Sequence, residues 1–211
     1  MKFIYSFLII NVVCISFIIG LVLTFTDDTK VLVLAPTLTA NAYSDGGFYD
    51  YFNGDCDESC LTIPIDYNLT YDYRSSSNAL IILGDMGYDI ILDTSDLSNI
   101  NDYDILVVLH NEYVTQEMFD AITNHHNVFY LYPNALYGLV EMENDTMTLI
   151  SGHGYAGKDN AFDWEHENTR PDEFDNECLD YSWKVVTNGY QLNCYPENAI
   201  QTDDSILESI R

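Results

Sequence analysis

Basic residues are scarce in this sequence. Seven lysines and arginines stand against 34 aspartates and glutamates, which gives a net charge of −27 over 211 residues. A surface of this charge repels nucleic acids and anionic lipid headgroups, so we predict no nucleic-acid partner. The acidic residues are spread along the chain, which is typical of a solvated surface that keeps a protein soluble.

Charge of either sign is absent from residues 3–25. A helix over this segment would cross the ~30 Å hydrocarbon core of a bilayer. No A-x-A cleavage pattern follows it, Lys2 precedes it, and Asp27 and Asp28 come after it. We therefore predict a signal-anchor transmembrane helix within residues 1–26. The protein is then expected at the cell membrane as a single-pass protein, with its N-terminus in the cytoplasm and its main domain outside.

The sequence lacks C-x-x-C pairs, which are the usual knuckles of a four-thiolate zinc site. Of the five cysteines, Cys14 lies inside the apolar segment. The other four are expected to pair, and their short separations favour the disulfides Cys56–Cys60 and Cys178–Cys194. Disulfides persist in oxidising compartments, which agrees with an external location.

Apolar runs alternate with helix signals between residues 27 and 145. The runs predict strands at 31–36, 61–65, 88–93, 104–109 and 127–133. Helices are expected after a cap at Ser75–Ser77 and after the N-cap Thr115. Such alternation is typical of a parallel sheet covered on both faces. Residues 37–60 are predicted to be a loop, and residues 146–211 a β-rich extension packed on the same domain.

Polar residues gather where the predicted parallel strands end. The carboxyl ends of parallel strands meet at one edge of a sheet, and ligands bind there. A glutamate and a tyrosine at that edge can act as base and acid, or as oxygen ligands of a hard metal ion, although a simple strand-end turn is the alternative interpretation. The predicted catalytic and substrate-binding residues all lie in loops of this kind: His110, Glu112, Asn111, Tyr113, Asn134, Tyr137, Gly46 and Gly47.

Several catalytic patterns are missing. Asn134 stands where a nucleophile elbow would carry serine or cysteine, so we do not expect a hydrolase built on such an elbow. No H-E-x-x-H spacing and no calcium-loop pattern are present. His153 and His166 lie in a stretch rich in acids that could bind a cation, but no known spacing supports this.

Three stretches in order, TANAYSDGGFY, HNEYVT and YPNALYG, resemble the carboxy-terminal region of the N,N-dimethylformamidase large subunit and its relatives. The resemblance covers about residues 31–140. It implies a class I glutamine-amidotransferase-like fold without the cysteine nucleophile. The predicted fold class is therefore α/β: a flavodoxin-like, amidotransferase-like parallel-sheet sandwich, preceded by one transmembrane helix and followed by a β-rich tail.

The resemblance also implies a mononuclear iron held by two tyrosines and a glutamate. Tyr43 matches the first tyrosine and Glu112 matches the glutamate. The second tyrosine is expected between them, where Tyr67, Tyr71 and Tyr73 are candidates that no motif separates, and Tyr71 is our prediction for the metal site. Such an iron would polarise an amide carbonyl and lower the pKa of bound water.

Two functions follow from these observations. The first is a membrane-anchored, extracytoplasmic, metal-dependent hydrolase of amide-type bonds. The second is a non-catalytic surface module that binds a small molecule or a surface polymer at the same edge of the sheet.

Overall fold

The structure is a computed structural model that describes residues 29–164 and 177–210. Four α-helices occur in these residues: α1 (Thr37–Ala42), α2 (Phe48–Asn53), α3 (Ser77–Asp85) and α4 (Gln116–Asn124). The strands are β1 (Val31–Ala35), β2 (Thr62–Pro64), β3 (Asp89–Leu92), β4 (Ile105–Val108), β5 (Tyr113–Val114), β6 (Val128–Tyr130), β7 (Gly138–Glu143), β8 (Thr146–Ser151), β9 (Trp183–Val186) and β10 (Gly189–Leu192).

A six-stranded sheet forms the centre of the molecule, in the order β3-β1-β4-β6-β10-β9. Its first five strands run parallel, and β9 pairs antiparallel with β10. Alternate residues of β1 and β4 are buried on opposite faces, so both faces of the sheet are covered. The carboxyl ends of β1, β4 and β6 consequently meet at one edge.

A second, four-stranded sheet has the order β2-β8-β7-β5. It packs on one face of the central sheet, where Val140 and Met147 join the same buried cluster as Leu32 and Leu106. The opposite face is covered by α3 and by the carboxy-terminal segment, through side chains such as Leu207.

The predicted architecture is wrong. Instead of one parallel-sheet sandwich followed by a β-rich tail, the described residues form two sheets in a mixed α/β arrangement. The residues expected to form the tail are divided between them, because β8 lies in the second sheet while β9 and β10 complete the central one. In residues 29–164 and 177–210, no helix is long and apolar enough to cross a membrane. The segment predicted as an anchor, residues 3–25, lies outside the described residues.

The predicted loop at residues 37–60 is also wrong, because it contains α1 and α2. These helices have six residues each, shorter than the length at which a helix is stable alone. They are held by tertiary packing, with Leu38 and Phe48 buried in the core.

Among the other local signals, those at Thr115, Gly87 and the cysteines are confirmed, whereas Ser76, the N-cap of α3, makes no side-chain capping hydrogen bond. Thr115 accepts a hydrogen bond from the main-chain nitrogen of Met118 and caps α4. Gly87 follows α3 with a φ of 83°, which glycine adopts without strain. The disulfides Cys56–Cys60 and Cys178–Cys194 are both present, as predicted.

Candidate active site

Five polar side chains converge at the carboxyl edge of the central sheet. We call Tyr43, Tyr49, His110, Glu112 and His153 the glutamate cluster. Tyr43 follows α1 and Tyr49 lies in α2, while His110 and Glu112 follow β4 and His153 follows β8. Loops from both sheets therefore contribute to the cluster, which a sandwich with a single sheet would not provide.

Glu112 lies at the centre of the cluster and is fully buried. Its Oε1 accepts a hydrogen bond from the Tyr49 hydroxyl at 3.0 Å and also contacts Nε2 of His153. Its Oε2 lies 3.3 Å from Nε2 of His110 and has no hydrogen bond. In the described part of the chain, the ion-pair partners of Glu112 are these two imidazoles, with no lysine or arginine. A carboxylate without water needs such partners, since burying an unpaired charge costs several kcal/mol.

Tyr43 and Tyr49 form the outer side of the cluster. Their rings stack with centroids 3.9 Å apart, and the Tyr43 hydroxyl donates to the Tyr49 hydroxyl at 2.7 Å. Both residues are half-buried, so the cluster reaches the surface through them. The sharp turn between them depends on Gly47, because a Cβ there would lie 2.3 Å from the main-chain oxygen of Ala42. Gly47 thus serves close packing of the backbone.

The imidazole of His110 is oriented by contacts on the side of the ring that faces away from Glu112. Its Nδ1 contacts the main-chain oxygen of Arg74 and the hydroxyl of Tyr195. Because a carbonyl oxygen can only accept, Nδ1 carries the proton in the neutral ring. Nε2 therefore faces the cluster, where it lies 2.6 Å from Nδ2 of Asn134.

His153 closes the inner side of the cluster. Its φ is +53°, and it lies between Gly152 and Gly154 just after β8. Its ring stacks on Tyr113 at 5.7 Å and meets the edge of Tyr137 at 4.8 Å. These two aromatic residues, predicted to bind substrate, thus support an imidazole.

Ionisation in the cluster follows from burial and from the imidazoles. Burial by itself would raise the pKa of Glu112, but the facing imidazoles of His153 and His110, in their protonated form, outweigh it and hold that pKa well below its usual range. Burial, assisted by the nearby Glu112 carboxylate, raises the pKa of both Tyr43 and Tyr49. With no cation bound, the two hydroxyls therefore keep their protons and donate along the chain of hydrogen bonds that ends at Glu112.

Two members of the cluster were missed by sequence reasoning. Tyr49 is the tyrosine that reaches both Tyr43 and Glu112, and it lies only six residues after Tyr43. His153 was placed only in an acid-rich stretch, and the signal that could have found it is a histidine between two glycines directly after a strand. His166 lies outside the described residues.

The predicted second tyrosine, Tyr71, makes its hydrogen bond outside the cluster. The hydroxyl of Tyr71 contacts Oγ1 of Thr37 at 3.0 Å, and Tyr49 occupies the place expected for Tyr71. The other candidates also bond elsewhere, Tyr67 to Asp145 and Tyr73 to Glu177.

Two other predicted residues serve the scaffold. Asn111 is buried and donates from Nδ2 to Asp93 at 3.1 Å, while its Oδ1 accepts from the main-chain nitrogen of Leu109. Gly46 is exposed, and its nitrogen donates to a carboxylate oxygen of Asp50. Neither residue is joined to the cluster by a hydrogen bond.

The side chains of the cluster include possible ligands of a metal ion. Across residues 29–164 and 177–210, no three His, Cys, Asp or Glu side chains are arranged to hold one metal ion. The tyrosines add a different set, since the hydroxyls of Tyr43 and Tyr49 and the carboxylate of Glu112 are three linked oxygen donors. Hard oxygen ligands of this kind fit a ferric ion, which would also neutralise the buried carboxylate.

Comparison of the sequence with known protein families and with curated proteins finds no match. The resemblance to the dimethylformamidase large subunit therefore stays a prediction. The function proposed below rests on the contacts within the glutamate cluster.

Proposed function

We propose that this protein is a metal-dependent hydrolase of amide-type bonds, in which Tyr43, Tyr49 and Glu112 hold a ferric ion. The observation that carries the proposal is the convergence of these three side chains, with hydroxyl-to-hydroxyl and hydroxyl-to-carboxylate distances of 2.7 and 3.0 Å. Two tyrosines and one glutamate are also the ligand set that the sequence resemblance implies, with Tyr49 in place of Tyr71.

A ferric ion bound there would act as a Lewis acid toward an amide carbonyl oxygen. The residues around it supply proton transfer. When neutral, His110 presents Nε2 to the cluster while its Nδ1–H is held by the Arg74 carbonyl. Once Asn134 releases the Nε2 lone pair, the ring can accept a proton from an attacking water and return it to the leaving nitrogen. Asn134 fixes the plane of this imidazole through its 2.6 Å contact.

The two disulfides support a location outside the cytoplasm. Disulfides such as Cys56–Cys60 and Cys178–Cys194 form and persist mainly in oxidising compartments. We place the hydrolase in such a compartment, where the acidic surface keeps it soluble. Attachment to the membrane through residues 3–25 stays a prediction, because that segment lies outside the described residues.

Iron binding by the full-length protein tests the proposal. The purified protein, loaded with ferric iron, should hold close to one iron per chain and show the visible colour of tyrosinate-to-iron charge transfer. Tyr49→Phe and Glu112→Gln should lose most of the iron and the colour. Tyr71→Phe is the matched control, since its hydroxyl contacts Thr37 and should leave both unchanged.

A folded protein that takes up no iron, or a Tyr71→Phe variant that loses it while Tyr49→Phe keeps it, would contradict the proposal. Circular dichroism of each variant separates loss of metal from loss of fold. Release of formate from N-methylformamide then tests the reaction itself.

The second candidate function is a non-catalytic binding module. It is favoured by one observation: Glu112 and His110 are already engaged with neighbouring side chains and almost fully buried, 0% and 1% exposed. This second function would be supported if the folded protein bound no iron and if Glu112→Gln changed neither its iron content nor its activity.

A further inference from the structure

Arg74 is joined to the glutamate cluster through its main chain. Its oxygen contacts Nδ1 of His110 and accepts from the hydroxyl of Tyr195 at 3.4 Å. Its nitrogen donates to Oδ1 of Asp72 at 2.9 Å, which caps the short 3₁₀ turn Tyr73–Ser75. The backbone of Arg74 is therefore fixed on both sides, and the start of its side chain has a defined position beside the cluster.

The guanidinium of Arg74 lies at the mouth of the cluster. Its Cζ is 5.6 Å from the centroid of the Tyr43 ring, on a residue that is exposed to solvent. Within the described residues, Arg74 forms no salt bridge, although the chain has 34 acids and only 7 bases. Because no carboxylate of the described residues pairs with this guanidinium, its N–H groups can bind an anion.

We propose that Arg74 binds a carboxylate of the substrate, so that the hydrolase acts on amides that carry an anionic group near the scissile bond, such as N-acyl amino acids. This inference rests on the proposed function. A guanidinium pairs with a carboxylate through two parallel hydrogen bonds, which supplies affinity and orientation together. The net charge of −27 repels anions from the rest of the surface, so an anionic substrate needs a local cation such as Arg74 in order to bind.

Two substrates of similar shape test the inference. N-formylglycine carries a carboxylate, and N-formylglycinamide replaces it with a neutral amide. For the iron-loaded, full-length protein we expect kcat/KM to favour N-formylglycine by about 10- to 100-fold, which is the range for hydrogen bonds to a charged group. Arg74→Gln should bring this ratio close to one, and Arg74→Lys should restore part of it.

Lys30→Gln is the matched control for net charge. It removes one positive charge at the amino end of β1, the opposite edge of the central sheet from the cluster, and should keep the wild-type ratio. Binding of N-formylglycine to the metal-free protein, measured by calorimetry, gives a readout that does not depend on turnover. Affinity should fall about 10-fold or more in Arg74→Gln and stay unchanged in Lys30→Gln.

The outcomes separate this inference from the proposed function. Hydrolysis of both substrates with equal kcat/KM, or a preference that survives in Arg74→Gln, overturns the carboxylate subsite and leaves the hydrolase intact. Binding of N-formylglycine that depends on Arg74, without hydrolysis of either compound, supports the subsite and rejects the hydrolase. Equal binding of N-formylglycine by wild type and Arg74→Gln overturns the inference, whatever the activity.

Discussion

Removal of the Cys178–Cys194 disulfide should destabilise the protein more than removal of Cys56–Cys60. The two bridges differ in the length of chain that they close, with sequence separations of 16 and 4. The loop-entropy relation gives about 3 kcal/mol for the longer loop and about 2 kcal/mol for the shorter one at 25 °C. The expected difference in unfolding free energy is therefore about 1 kcal/mol from chain entropy alone.

Packing adds to this difference in the same direction. Cys178 and Cys194 are both buried, whereas Cys56 is half-buried. The longer bridge also holds Cys178 where its nitrogen donates to the main-chain oxygen of Tyr195 at 2.8 Å. Serine at both positions would place two hydroxyls among the buried side chains of the carboxy-terminal segment, so the measured loss should exceed the entropic value.

The assay is urea unfolding of two double variants, Cys178→Ser/Cys194→Ser and Cys56→Ser/Cys60→Ser, without reductant. Midpoints and slopes give the unfolding free energy of each. The wild type in reductant should lose more than either variant, since both bridges open. An equal loss in the two variants, or a larger loss from opening Cys56–Cys60, would refute the reasoning from loop length and burial.

Three further predictions concern residues outside the cluster. Burial raises the pKa of Asp93 from 3.8 to about 7, so the folded state binds this proton more tightly than the unfolded state does. The unfolding free energy should therefore fall by about 3 kcal/mol as pH rises from ~4 to ~7, and Asp93→Asn should remove this fall. Parallel pH profiles of the two proteins would contradict this prediction. Glu197 is buried and accepts hydrogen bonds from two main-chain nitrogens at the start of α3. Glu197→Ala should therefore lower the unfolding free energy, measured in urea, by about 1–3 kcal/mol. A loss below about 0.5 kcal/mol would exclude this role. Gly189→Ala would place a Cβ 1.9 Å from a main-chain oxygen of β6 and should therefore lower the melting temperature. Gly84→Ala in α3 meets only ordinary contacts and should raise the melting temperature. Equal shifts in the two variants would contradict the packing argument.

Local patterns predicted the elements that depend on local chemistry. The apolar runs located β1, β4 and β6, because strands buried on both faces need uninterrupted apolar residues. The run at 88–93 also located β3, an edge strand that is exposed or half-buried. Thr115 and Gly87 marked helix ends through hydrogen bonds and a φ value that involve only neighbouring residues. The disulfide pairs followed from short separations in sequence.

The strand pairing of the second sheet was not predictable in this way, although β2 lies within the strand predicted at 61–65. Its strands β2 and β5 have three and two residues, too few to show an alternating pattern. Pairing of Thr62 with Thr148 joins residues far apart in sequence, and nothing in either segment marks its partner. The six-residue helices α1 and α2 were not predictable either, because they form through burial of Leu38 and Phe48 in the core and not through a local pattern.

By itself, the sequence determined the charge of the surface, the disulfide pairs and the position of Glu112 after a buried strand. Each of these depends on composition or on residues close together in the chain. Only the tertiary structure decided that Tyr49 and His153 meet Glu112 and that Tyr71 does not. Those contacts join residues 63 and 41 positions apart in the sequence. They form because the two sheets bring distant segments to one edge, where the buried carboxylate of Glu112 is stabilised only by polar partners.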